Sequence, residues 1–158
     1  MAKAAKEQIV RVTKIFTFDM AHALFGYDGP CKNIHGHTYH LSITIKGKVI
    51  SNPANVKNGM VVDFTDLKNI VKSNIIDLFD HALVLNGNAK EHKALKDQLL
   101  MQFEKIIYLP MQPSCENLLL HFKDILLPVF TKHKLKLQYV KLSETPSSYA
   151  EWNVEDNK

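Results

Sequence analysis

Only two cysteines occur in the 158 residues, at unlike positions, which is too few for a disulfide framework and suits reduced thiols. No apolar run is long enough to cross a bilayer, so no membrane partner is expected. The opening Met1-Ala2-Lys3-Ala4-Ala5-Lys6 passes into polar residues, which is not a signal-peptide pattern, and the expected location is cytoplasmic. Repeats, low-complexity segments and interdomain linkers are missing too, leaving one domain over 1–158 with enough chain to bury a core. Charge is not gathered into a block. The net charge is +4, but Lys3, Lys46, Lys57, Lys68, Lys90, Lys105 and Lys134 are scattered, mostly beside acids. That spread argues against a nucleic-acid surface and for a solvated one, whose modest positive field favours a polyanionic small molecule.

Against this plain background, His22, Cys31 and His35-Gly36-His37 crowd into one short stretch. Neutral imidazole is the commonest zinc ligand, and a catalytic zinc takes three protein ligands and keeps a fourth position open. His22, His35 and His37 supply that number. If His37 opens a strand, His35 and His37 share a face, because side chains alternate across an extended chain. Gly36 leaves room for a close backbone approach. Any one of these histidines alone would be an ordinary polar residue; the group is what points to a metal. Cys31 has two readings. As a fourth ligand it would close the site and make it structural; as a nucleophile or base it would need a nearby histidine oriented by a carboxylate. Asp80-His81 could provide that pair, or could be a helix end favoured by the dipole.

Strands are expected at about 9–20, where Ile15-Phe16-Thr17-Phe18 alternates toward His22, and at about 38–49, where Tyr39, Leu41, Ile43 and Ile45 alternate with polar residues. A loop punctuated by Asn52-Pro53 and Asn58-Gly59 follows. After Asp63, a helix is expected with Phe64, Leu67, Ile70, Val71 and Ile75 on one stripe and Asp66 in its first turn. Ser114 can cap a second helix that buries Leu118, Phe122, Ile125 and Leu126. A last strand over about 134–142 leads into Glu144. Together these elements make an α+β domain, an antiparallel sheet with helices packed on one face.

Several motifs in order resemble those of the 6-pyruvoyltetrahydropterin synthase and 6-carboxytetrahydropterin synthase family. They are Phe18-Asp19-Met20-Ala21-His22, Cys31 with His35-Gly36-His37, Val62-Asp63-Phe64, Leu78-Phe79-Asp80-His81, Pro113-Ser114-Cys115-Glu116-Asn117 and Glu144-Thr145. The resemblance implies a tunnelling-fold domain that forms a barrel on oligomerisation, as a homohexamer of two stacked trimers. It implies that His22, His35 and His37 bind Zn2+ and that Cys31 is catalytic. Asp80 and His81 would complete the proton-transfer set from a neighbouring subunit. Glu144 would anchor the pterin, a carboxylate being able to accept two hydrogen bonds from the 2-amino and N3 donors. Ser114, Cys115 and Glu116 would face the substrate. Met20 and Cys115 depart from the family's usual residues, and the connection over about 88–111 is longer than in compact members, with an added helix expected in Lys90-Glu91-His92-Lys93 and 95–103.

The implied reaction converts 7,8-dihydroneopterin triphosphate to 6-carboxy-5,6,7,8-tetrahydropterin, with loss of acetaldehyde and triphosphate, on the way to queuosine. The alternative within the family is 6-pyruvoyltetrahydropterin formation, on the tetrahydrobiopterin route. Two rivals come from other classes: a zinc hydrolase, which would not need Cys31, and a non-catalytic zinc-stabilised binding protein, which chelation would unfold.

Overall fold

A computed structural model describes residues 8–158; the lysine-containing segment around Lys3, read above for the lack of a signal peptide, lies outside the described residues. Six strands and four helices occur among the described residues. Strand β1 (Ile9–His22) pairs antiparallel with β2 (His35–Lys48) along its whole length, from Ile9 opposite Lys48 to His22 opposite His35. The expected period of two is visible in burial. Phe16, Phe18, Met20 and His22 of β1 and Tyr39, Leu41, Ile43 and Ile45 of β2 point to the core, while Asp19 and Thr38 lie on the other face. Strand β5 (Lys136–Thr145) pairs antiparallel with β2, and β6 (Ser148–Asn153) with β5.

Both β1 and β2 reach further than expected, so His22, His35 and His37 all sit on strands. Three strands escaped the sequence reading. Strand β6 is one. The others, β3 (Ala82–Asn86) and β4 (Ile106–Leu109), add parallel to β1 and give the order β4-β3-β1-β2-β5-β6. The antiparallel part of the sheet is therefore extended by a parallel edge. Both strands are short apolar runs without alternation, the pattern of strands covered on both faces.

Helix α1 (Phe64–Val71) starts where Asp63 caps it, Oδ1 accepting from the Thr65 amide at 2.7 Å. It runs through one wider turn, Lys72–Ile76, into α2 (Asp77–Phe79). There the Asn74 side-chain Nδ2 donates to the Ile70 carbonyl at 2.8 Å, a side-chain bond across the loosened turn. Helix α3 (Lys90–Leu100) stands where a helix is expected within 88–111; it ends three residues earlier than expected and contributes no buried residue. Helix α4 (Cys115–Lys132) is capped by Ser114 and buries Leu118, Leu119, Phe122, Leu126 and Phe130. Leu67, Val71, Ile75 and the α4 stripe meet the inward side chains of β1, β2 and β5 in one core cluster. Among the described residues, no helix is long and apolar enough to cross a membrane.

Candidate metal centre and active site

The β1–β2 ladder assembles the three histidines. His22 faces His35 directly across the strands and His37 lies opposite Met20, all on the core side. The ring centroids of His22 are 4.4 Å from His35 and 5.4 Å from His37, and His35 and His37 are 5.2 Å apart. One ligand nitrogen from each lies within 4.8 Å of the others. At Gly36 a Cβ would stand 3.1 Å from the Met20 carbonyl oxygen of the neighbouring strand, so a side chain there would need that strand to give by a few tenths of an ångström.

Outer contacts orient two of the rings. His22 Nδ1 donates to the Pro113 carbonyl at 2.7 Å and His35 Nδ1 to the Asn33 carbonyl at 2.8 Å. A carbonyl can only accept, so in both rings Nδ1 carries a proton and Nε2 is the nitrogen turned toward the shared space. Burial pushes the His22 pKa down, helped by the other two imidazoles and opposed by the Pro113 bond and the Glu144 charge. A ligand must be neutral to bind metal, and His22 is held that way. The donor set fits a divalent ion of zinc type with one position open. Cys31 does not join this set, so the closed four-ligand arrangement is not formed among the described residues.

Glu144 and Tyr39 adjoin the triad. Glu144 Oε1 is 3.9 Å from His22 Nε2, and the Tyr39 hydroxyl, fully buried, donates to Glu144 Oε1 at 3.1 Å. Burial, with the Glu144 charge and hydrogen bond, raises the Tyr39 pKa, so the phenol stays a donor. Cys115 opens α4 beside them, its thiol donating to the Leu142 carbonyl at 3.3 Å. Burial and the Glu144 charge push that thiol up to about 12, so it is protonated at neutral pH. Ser114 is occupied as the helix cap, while Glu116 is exposed and forms no hydrogen bond or ion pair among the described residues.

Cys31 lies in a single turn, Pro30–Lys32, within the loop between β1 and β2. The Leu24 amide donates to the Cys31 carbonyl at 2.9 Å. Gln112 clamps the same loop: Oε1 accepts from the Phe25 amide at 3.1 Å and from Asn86 at 3.3 Å, and Nε2 donates to the Phe25 carbonyl.

Asp80 and His81 are together but elsewhere. His81 Nδ1 is 3.0 Å from Asp80 Oδ1, which also accepts from the Asp19 amide at 3.0 Å. Partial burial pushes the Asp80 carboxyl up, but the Asp19 amide, His81 and Lys105 outweigh it and hold the pKa below its ordinary value. The pair lines an open groove of about 1010 Å³ with Asp19, Thr38 and residues 102–105. No hydrogen bond or ion pair joins Cys31 to Asp80 or His81 among the described residues. Sequence reasoning missed Tyr39, Asp19, Gln112 and Lys105. Tyr39 alone carried a signal, being the next residue after His35 and His37 on the same strand face.

A sheet that converges three imidazoles beside a carboxylate, with a separate carboxylate–histidine pair in a groove, has the donor groups of a metal-assisted proton-transfer enzyme. Residues 11–155 match the family model described as 6-pyruvoyl tetrahydropterin synthase, and the chain belongs to that family of lyase-type enzymes. It is 36% identical over 144 residues to the 6-carboxy-5,6,7,8-tetrahydropterin synthase of Haemophilus influenzae, covering 90% of this chain and 97% of that one. The protein of the same name from Rickettsia bellii is 34% identical, covering 90% and 99%. The structure of Caenorhabditis elegans 6-pyruvoyl tetrahydropterin synthase superposes with a TM-score of 0.65 at 24% identity, over 93% of this chain and 96% of that one. That likeness carries the fold, and the expected tunnelling-fold α+β class stands.

Proposed function

We propose that the protein is a zinc-dependent 6-carboxy-5,6,7,8-tetrahydropterin synthase, converting 7,8-dihydroneopterin triphosphate with release of acetaldehyde and triphosphate, as a cytoplasmic step toward queuosine. The observation that carries this reading is the convergence of His22, His35 and His37 next to Glu144, with Glu144 Oε1 3.9 Å from His22 Nε2. The names of the relatives from Haemophilus influenzae and Rickettsia bellii support the carboxy product. Bound at the three histidines, zinc supplies Lewis-acid polarisation of the substrate's side-chain hydroxyl oxygens. Glu144 accepts from the pterin's 2-amino and N3 donors, with Tyr39 holding one of its oxygens. Cys31, as thiolate, takes a proton from the substrate side chain, and His81, oriented by Asp80, moves the second.

In this reading the division of labour is shared between copies of the chain. Among the described residues, Cys31 has no hydrogen bond or ion pair to Asp80 or His81, and the outermost strands, Ile106–Leu109 and Ser148–Asn153, each have one side without a partner strand. Open edges of this kind favour pairing with further chains. A homohexamer built as two trimers would close the sheets into a barrel and bring the Asp80–His81 pair of one subunit to Cys31 of another.

The family model's own description favours a second reading, 6-pyruvoyltetrahydropterin formation by triphosphate elimination. Incubating the zinc-loaded protein with 7,8-dihydroneopterin triphosphate and identifying the pterin by mass spectrometry separates the two. The carboxy product with acetaldehyde is expected. The pyruvoyl product would replace the first reading by the second, and no turnover by folded, zinc-bound protein would overturn both.

A further inference from the structure

The Asp80–His81 turn is an unusual piece of backbone. His81 sits in the left-handed region, at φ 60°, although it is not glycine. A side chain there clashes with its own backbone, so such a residue persists only where its surroundings over-determine it. Part of the restraint comes from β1: the His81 amide donates to the Asp19 carbonyl at 2.6 Å, and the Asp19 amide to Asp80 Oδ1. The Thr38 hydroxyl in turn holds the Asp19 carboxylate at 2.6 Å.

The remaining restraint comes from the long connection. Lys105 immediately precedes β4, where its carbonyl accepts from the Leu83 amide at 3.0 Å and so fixes its backbone against β3. Its ammonium reaches back to the end of α2 and donates to the Asp80 carbonyl at 2.5 Å and the Asp77 carbonyl at 2.9 Å. These oxygens lie at a helix C-terminus, where carbonyls lack intrahelical partners and a cation is favoured. An ammonium offers three donors from one point, enough to tie both carbonyls together. Gln102, Phe103 and Glu104 bring the same segment along the wall of the groove that holds Asp80 and His81.

We infer that Lys105 is a positioning residue for the Asp80–His81 pair, so that the 88–111 connection serves the reaction by setting where the histidine stands. The inference rests on the reading above that His81 moves a proton. Without the Lys105 ammonium, the C-terminal turn of α2 loses the clamp that spans Asp77 and Asp80, and the His81 ring can leave the orientation that Asp80 gives it.

The test is steady-state kinetics on the zinc-loaded full chain with 7,8-dihydroneopterin triphosphate, comparing Lys105→Met, Lys105→Arg, His81→Ala and the Lys105→Met/His81→Ala double variant. Misplacement of a catalytic group lowers turnover without weakening ground-state binding, so Lys105→Met is expected to lower kcat by about 10- to 100-fold and to leave KM within about twofold. Lys105→Arg, which keeps a multiple donor, should recover most of that loss. In the His81→Ala background, Lys105→Met should change kcat by less than about twofold, because the group it positions is already gone. An equal fall in both backgrounds, or no fall in either, would overturn the inference while leaving the role of His81 intact. Full activity in His81→Ala would instead remove the reading on which the inference rests. If Lys105→Met does not fold, Lys105→Gln, which is polar but uncharged and too short to span both carbonyls, is compared in the same two backgrounds.

Discussion

Replacing Tyr39 by Phe removes one oxygen from a fully buried ring and isolates what that oxygen does. The ring itself should stay, since it stacks on Phe18 with centroids 5.5 Å apart and planes 17° from parallel. What is lost is the 3.1 Å hydrogen bond to Glu144 and the 3.4 Å approach to His22 Nε2. A hydrogen bond to a charged acceptor contributes about 1.5–3 kcal/mol. The Glu144 side chain is 20% exposed, so water can replace part of the bond, and the low end of that range applies. At about 1.4 kcal/mol per factor of ten, pterin binding should weaken about tenfold through a less well-held carboxylate. Metal content should not change, because the imidazoles keep their Pro113 and Asn33 anchors. Isothermal titration with a non-reacting pterin, alongside metal analysis of the purified variant, measures both. Pterin affinity within twofold of wild type would refute the link from Tyr39 to Glu144. Loss of metal in step with affinity would show that the hydroxyl serves the metal centre instead.

Two further outcomes follow from the titrating groups. Because burial and the Glu144 charge push the Cys115 thiol up to about 12, iodoacetamide at pH 8 should modify Cys115 only after denaturation, as read by peptide mass mapping; rapid labelling in the native protein would contradict the burial argument. Asp80 has a lowered pKa in the folded chain, so its charge contributes stability that is present above the unfolded value of about 3.9 and is lost as pH falls through the folded one. Asp80→Asn should therefore be less stable than wild type near pH 7, by a modest margin because the group is partly exposed, and the gap in urea midpoints should close below about pH 4. A gap that stays constant with pH would assign the loss to geometry rather than charge.

The parts of the molecule legible from sequence are those governed by local period and local spacing. Strands β1 and β2 alternate over fourteen residues each, and the His35-Gly36-His37 spacing on such a strand already puts two imidazoles on one face. Asp63 and Ser114 announce their helices because a capping side chain acts within three residues of itself. Strands β3, β4 and β6 were not legible, because runs of four to six residues do not distinguish a strand from a buried turn of helix. The supporting residues of the site were hidden for a different reason. Asp19 meets Asp80 across 61 positions, Gln112 meets Phe25 across 87 and Lys105 meets Asp80 across 25, and no periodicity reports such pairings. A lysine in a scattered field of lysines reads as surface until the fold shows which carbonyls it faces.

The same ladder that gathers the histidines also separates the two halves of the chemistry. Along β1, Asp19 and Met20 are neighbours in sequence but point to opposite faces, and so do His37 and Thr38 along β2. The core face therefore carries the imidazoles, Tyr39 and Glu144, while the opposite face carries Asp19 and Thr38, which hold the Asp80–His81 turn. A slip of one residue in the β1–β2 register would exchange the two faces, taking the triad out of the core and Asp19 into it. The long pairing resists that slip, and at Gly36 an added Cβ would press on the Met20 carbonyl at 3.1 Å, so that the two strands would have to shift against each other. Gly36→Ala should thus disturb the metal triad and the Asp80–His81 turn together, although it belongs to neither, because both are read from one register.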